Sequence, residues 1–252
     1  MGTAKEIIQD IKRFASKEKA DLLPKFFKTG KGDYGYGDRF HGVVVPDQRS
    51  VAKKHFPTTT RETILELLAS AFHEERLTSL FILCHKFNEA RKIGKEKEWV
   101  DLYLDNAEKV NNWDLVDTTA HVILGQWLAD KDRKILYRLA KDPSLWRNRI
   151  AVVATWHFIR KQNDVTDILA LAEIMISHQH DLMHKATGWM LREGWKKKPK
   201  EIEAFLDRHV KSMPRTMLRY AIEKMEEKKT KKIKKVSEKA RSERAGINFP
   251  GN

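Results

Sequence analysis

The segment Asn111-Asn112-Trp113-Asp114-Leu115-Val116-Asp117 puts an aromatic plate and two carboxylates at what reads as a helix start. Asp117 lies four residues beyond Trp113, about 40° round a helix and one turn along it, so the indole and the carboxylate can share a cavity. Asp114 lies about 100° from Trp113 and reads as a capping or dipole residue. An acid beside an indole face suits chemistry in which positive charge must be held, since the carboxylate and the ring quadrupole both oppose that charge. Two further segments carry related groups, Trp146-Arg147-Asn148-Arg149 and Gly188-Trp189.

Other constellations are weaker. His178, His180 and His184 include one pair four residues apart that could face a metal from one helix, but no carboxylate or further ligand is evident, and Asp181 reads as a cap for the next helix. No metal or other cofactor is expected. Cys84, the single cysteine, excludes an internal disulfide and reads as a small packing group in the apolar run LTSLFILCHKF. Gly30, Gly32 and Gly35 satisfy a G-x-G-x-x-G pattern, yet no strand precedes them, and Asp33 and Asp38 would repel a phosphate. No serine sits in a nucleophile-elbow sequence.

The elements that must position these groups are helices. From residue 60 onward helical periodicity is almost unbroken and strand-like alternation is missing. Over Asn112 to Ala129, residues Trp113, Val116, Ala120, Ile123, Leu124 and Trp127 collect on one face, with Asn112 as a possible cap. Asp142-Pro143-Ser144 signals another helix start, with the proline expected in its first turn. Long helices are thus expected to begin near residues 75, 112, 145 and 181, at separations of 37, 33 and 36, with shorter ones between them. That period predicts an all-α fold, a curved solenoid of stacked antiparallel helix pairs (HEAT-like repeats) with a concave basic face. Such a surface could present an indole from each outer helix, the acid from the first and an arginine from the middle one. Residues 28–46, with five of the twelve glycines, interrupt the pattern as a loop or crossing segment.

The 252 residues, 41% hydrophobic, suffice for a real core, and 49 Lys and Arg against 35 Asp and Glu leave a formal charge of +14. An anionic partner, nucleic acid or an anionic membrane, is the leading expectation. Residues 228–244 carry nine basic and two acidic side chains, a net +7, half of the total. The domain division expected is 1–224 for the repeat domain and 225–252 for a basic tail, a solvated frayed helix or disordered arm that attracts phosphates without specificity. No apolar run is long enough to span a membrane and the start MGTAKEIIQDIKRF has no signal-peptide core, so a cytoplasmic protein is expected.

NNWDLVD, SLWRNRIAVV, KATGWMLREGWKK and MPRTMLRYAIEK, with the upstream FFKTGKGDYGYGDRFHGVVVPDQR, resemble the DNA alkylation repair proteins of the AlkD type, which are HEAT-like-repeat DNA glycosylases. The likeness runs over roughly residues 5 to 225 and lies in the ordered combination of W-D-x-V-D, W-x-x-R and G-W-x-L-R-E. It implies removal of N3- and N7-alkylated purines from duplex DNA by cleavage of the N-glycosidic bond. It also implies Asp117 as the catalytic residue, Trp113 and Trp189 as substrate-binding residues and Arg149 as the DNA-phosphate-binding residue, with the lesion left in the duplex and contacted through its backbone. The upstream segment is longer and richer in glycine than in the best-known branch, and Phe26, Phe27, Tyr34 and Tyr36 are all candidates for an N-terminal aromatic contact.

The residues suit that chemistry. An N7-alkylated purine is cationic and leaves as a neutral base, so a general acid is hardly needed; the charge that develops is on the sugar, where Asp117 could stabilise it and orient or deprotonate water. A monomer, with the curved face open to a duplex, is the expected state. Two other readings compete: a non-catalytic HEAT-like scaffold for damaged or branched nucleic acid or for a protein, and an anionic-membrane binder acting through the tail.

Overall fold

The computed structural model describes residues 2–244, and among them the regular secondary structure is helical, joined by turns and loops, with one isolated parallel bridge between Arg39 and Phe72. The all-α expectation holds. The described residues fall into two compact units, with the division between Asp130 and Lys131. The first holds α1 (Ala4–Lys12), α2 (Lys17–Phe26), α3 (Val45–His55), α4 (Arg61–Leu68), α5 (His73–Arg91), α6 (Lys97–Asp105) and α7 (Trp113–Asp117). The second holds α8 (Lys134–Ala140), α9 (Leu145–Gln162), α10 (Thr166–Met175), α11 (Asp181–Trp195), α12 (Pro199–His209), α13 (Arg215–Ala221) and α14 (Glu227–Arg244). Of the expected tail, residues 245–252 lie outside the described part, while α14 accounts for its basic run.

Local sequence explains most helix starts. Thr3, Ser16, Thr60 and Ser144 each accept a backbone N–H of the first turn, and Thr3 with Glu6 completes a reciprocal capping box. At α9 the cap is Ser144, so Pro143 sits just before the helix rather than in its first turn. Asn163 ends α9 in the left-handed conformation that releases the chain toward α10. Three of the four long-helix starts read from the sequence coincide with α5, α9 and α11; the fourth marks α7, which is only five residues long.

The stretch from Asn112 to Ala129 is therefore not one regular helix. Thr118 and Thr119 turn their hydroxyls back onto the carbonyls of Asp114 and Leu115, at 2.7 and 2.5 Å, and compete with the backbone ladder. A π-helical turn follows over His121–Gly125. The apolar face survives the irregularity, since Val116, Ala120, Ile123 and Leu124 are fully buried.

In the first unit α5 is the central helix: from His73 to Leu83 every residue is buried, with α3, α4, α6 and α7 packed round it. In the second unit the short helices α8 and α10 each precede and pack on a long partner, α9 and α11, and α11 is also covered by α12 and α13. The tightest approach is at Gly188, where a Cβ would stand 2.4 Å from the Met217 carbonyl oxygen and 2.6 Å from the Tyr220 Cβ. Gly188 thus lets α13 lie directly on α11, beside Trp189. Gly188→Ala is expected to lower stability by about 1–3 kcal/mol, because backbone must move to admit the methyl; a lowered urea midpoint at unchanged slope is the measurement.

Candidate functional site

The first turn of α5 organises the first unit through four consecutive charged residues. The Glu74 carboxylate accepts the backbone N–H groups of His41 (3.0 Å), Gly42 (2.8 Å) and Val43 (3.2 Å). Glu75 bonds the His41 ring (2.7 Å) and the Ser70 hydroxyl (2.6 Å), which hold its carboxyl below the usual value although burial pushes the other way. Arg76 pairs with Asp38 at 2.7 Å and donates to the Ser70 carbonyl. His73 lies between two acids, with Nε2 at 2.8 Å from Asp114 and Nδ1 at 3.2 Å from Asp38. The glycine-rich segment is in this way fastened to α5, and α7 is fastened to α5 from the other side.

The same fastening places α2. The Ser16 N–H donates to the His41 carbonyl at 3.0 Å, and Gly42, at φ +80°, lies so close to α2 that a Cβ would stand 2.0 Å from the Ser16 carbonyl oxygen. At the end of α2, Phe27 is buried with its ring stacked on Trp113 (5.6 Å between centroids) and on Phe40 (5.4 Å). Phe26 meets the Trp113 ring edge-on at 5.7 Å while remaining 62% exposed. Of the four aromatic candidates upstream, Phe27 is therefore the buried support of Trp113 and Phe26 its exposed neighbour; Tyr36 is also exposed. A cavity of about 500 Å³ opens beside this stack, lined among others by Leu22, Phe26, Phe27, Val44, Trp113 and Asp114. The Gly30, Gly32 and Gly35 pattern lies in turns, without the strand and helix of a dinucleotide site.

Trp113 opens α7 and Asp117 closes it, and both are half-buried. Asn112 is the cap, with Oδ1 accepting the Trp113 N–H at 2.8 Å. Asp114 is in the first turn, as the spacing indicated, but its partner is the His73 ring rather than the helix end alone. Of the two acids of α7 it is Asp114 that lines the cavity, together with Glu74 of α5, whereas Asp117 is the end of α7 from which the π-helical segment departs; the His121 ring lies 3.1 Å from the Asp117 carbonyl oxygen.

In the second unit Trp189 is half-buried on α11, its ring 5.0 Å from that of Trp156 at an interplanar angle of 60°. Arg149 is 4% exposed on α9 and donates from Nη1 to the Leu182 carbonyl at 2.6 Å, linking α9 to α11. The three histidines form a local network: His180, not Asp181, caps α11 by accepting the Leu182 N–H, His178 accepts the His180 N–H and contacts Asn148, and His184 bonds the His178 carbonyl. Asp181 instead pairs with Lys185 at 2.8 Å. Among the described residues no group of three or more His, Cys, Asp or Glu side chains could hold a metal. Burial pushes the Cys84 thiol up to about 12, which keeps it protonated and unreactive.

His73, Asp38, Glu74, Glu75 and Arg76 carry no signal in the sequence beyond four charged residues directly before an apolar run. That signal reads equally well as a solvated first turn.

Residues 7–225 match the family described as DNA alkylation repair enzyme, which is most of the chain. The chain belongs to the DNA alkylation repair enzyme family. A solved structure described as "Predicted DNA alkylation repair enzyme from Enterococcus faecalis" shares its helical fold, with a TM-score of 0.67 and 15% identity over 84% of this chain and 97% of that one. No curated protein sequence matches the chain. Family membership gives the chain a role in DNA repair, with DNA as its substrate.

The His73 pair makes a pH test of this repair-family scaffold. Burial opposes its charge, but the attraction of Asp114 and the bonds to Asp114 and Asp38 outweigh burial and raise it from 6.5 to about 9. A raised histidine stabilises the fold fully below its unfolded value and loses that contribution as pH climbs through the folded one. His73 is thus expected to contribute about 3 kcal/mol below pH 6.5, lost as pH passes 9. Urea melts across that window should show the loss in the wild type and its absence in His73→Gln; parallel curves would refute the charged pair.

Proposed function

We propose that the protein is a DNA glycosylase that hydrolyses the N-glycosidic bond of N3- or N7-alkylated purines in duplex DNA. The observation that carries this reading is the placement of Trp113 and Asp117 at the two ends of one five-residue helix, which a buried ionic network anchors through Asp114, in a chain of the DNA alkylation repair family. Asp117 is the catalytic residue of the proposal. Its carboxylate opposes the positive charge that grows on the deoxyribose as the bond breaks, and it orients or deprotonates the attacking water. Trp113 offers its ring to the cationic nucleotide, and Phe27 behind it keeps that ring from turning.

Trp189 and Arg149 enter as a substrate contact and a phosphate contact by the resemblance. Arg149 is given to Leu182 in the unbound chain, so a phosphate contact requires the guanidinium to be drawn outward. The proposed enzyme is cytoplasmic; no helix among the described residues is long and apolar enough to cross a membrane. The proposed enzyme acts as a monomer, without metal or cofactor, since the departing base is already activated by its alkyl group.

The test is release of free 7-methylguanine from a methylated duplex. Asp117→Asn is expected to bind the duplex normally, keep its melting temperature and lose about 100-fold or more in base release, the scale of removing one oriented electrostatic group. Asp114→Asn acts differently: it weakens the His73 pair, so stability falls by about 3 kcal/mol, and release is affected only as far as folding is. Full activity in Asp117→Asn would end the assignment. Tight, salt-sensitive DNA binding by the wild type with no base released from any lesion would instead favour a non-catalytic scaffold.

A further inference from the structure

Two helix faces in the second unit form a cleft that the proposed reaction does not use. On α13 and its C-terminal cap, Arg215, Leu218, Arg219 and Ile222 recur at spacings of three and four and share one face; on α14, Lys234, Ser237, Glu238 and Arg241 do the same. Together they line a cleft of about 180 Å³. Arg215, Arg219, Lys234 and Arg241 give four positive charges against the one negative charge of Glu238, a net +3 at one small opening. The base of the cleft is apolar, with Leu218 and Ile222 buried.

Two polar groups at this cleft are buried and have no hydrogen-bond partner: the Ser237 hydroxyl, on a residue 3% exposed, and Arg241 Nη2. A buried guanidinium N–H without an acceptor is unfavourable, and four cations around one opening repel each other. Both effects reverse when an anion with several acceptor oxygens lies between the helices. A tetrahedral oxyanion meets donors arriving from two sides better than a planar carboxylate does, and an arginine fork pairs with it through two parallel bonds.

We infer that the α13–α14 cleft is a binding site for a single phosphate group, with Arg241 and Ser237 as its inner donors and Arg215, Arg219 and Lys234 at its rim. Glu238 reduces the charge of the opening, leaving it selective for a group that can also satisfy the buried donors. The phosphate could belong to the backbone of duplex DNA or to a free phosphate-bearing molecule. In the first case the site lengthens the DNA footprint of the proposed enzyme; its existence does not depend on glycosidic cleavage.

The experiment uses the full chain with two probes, inorganic phosphate and a short undamaged duplex. Phosphate is expected to raise the thermal midpoint of the wild type and to leave Arg241→Gln and Ser237→Ala nearly unmoved. For the duplex, Arg241→Gln is expected to lose about 5- to 20-fold in affinity and to lower the slope of log K against log salt by about one. Lys235→Gln removes the same charge from α14 outside the cleft and serves as the comparison; its duplex affinity should fall by less than about twofold, with the phosphate response retained. Losses with both probes assign the site to a DNA phosphodiester, and loss of the phosphate response with duplex binding unchanged assigns it to a free phosphate-bearing molecule. Equal behaviour of the three variants with both probes overturns the site, whatever the base-release assay gives. Circular dichroism checks each fold, and Ser237→Ala, which keeps every charge, carries the comparison alone should Arg241→Gln not fold.

Discussion

The first unit depends on one buried imidazolium. His73 joins three segments far apart in the chain: Asp38 in the glycine-rich crossing, its own helix α5, and Asp114 on α7. Without it Asp114 would lose its charged partner and Asp38 would keep only Arg76, in a water-poor site where an unpaired carboxylate is costly. The arrangement is compensated on every side. Burial alone would raise the Asp38 carboxyl, yet its bond to His73 and the charge of Arg76 hold it below its usual value. Glu74 adds a second clasp by taking three successive backbone N–H groups of the crossing segment, which has no sheet or helix partner to satisfy them. A segment with five glycines keeps one path because charges on α5 hold its backbone, and α2 follows because Gly42 admits it closely.

That dependence explains what could be read from the sequence and what could not. Helix starts at α5, α9 and α11 were legible because they rest on local periodicity and on caps such as Ser144, which act within one turn. The apolar face running from Val116 to Leu124 was legible for the same reason, although Thr118 and Thr119 break the backbone beneath it; their hydroxyls compete with the ladder in a way that the pattern of apolar residues does not encode. The links made by His73 and Glu74 span more than thirty residues, and nothing local distinguishes a buried ionic turn from a solvated one. Asp114 shows the limit: its position in the first turn follows from spacing, while its partner is 41 residues away.

The two acids of α7 stand in different surroundings although one short helix carries both. Asp114 faces an imidazolium that remains charged at neutral pH, so its field is largely cancelled and it serves as an anchor. Asp117 stands at the C-terminal end, where the helix carbonyls carry partial negative charge of the same sign as the carboxylate. The segment that leaves this end is π-helical, a geometry that opens the backbone ladder and is common at functional sites. In the proposed reaction these two facts act together, because a rigid anchor one turn earlier fixes where a negative locus is presented.

The charge of the whole chain then acts on a different length scale from the charge of the site. A net +14 draws the polyanionic duplex in from a distance comparable with the screening length, about 8 Å in physiological salt, and acts on phosphates without regard to lesion. A single carboxylate cannot offset that long-range field, but within a few ångströms it dominates, and there it favours a cation over a neutral nucleotide. An alkylated purine is cationic before the bond breaks and its sugar becomes so as it breaks, whereas an intact nucleotide offers neither charge. On the proposed reading, affinity for DNA and discrimination of damage therefore come from charges of opposite sign, and the discriminating one must sit close to the ribose, on a backbone held as firmly as His73 holds α7.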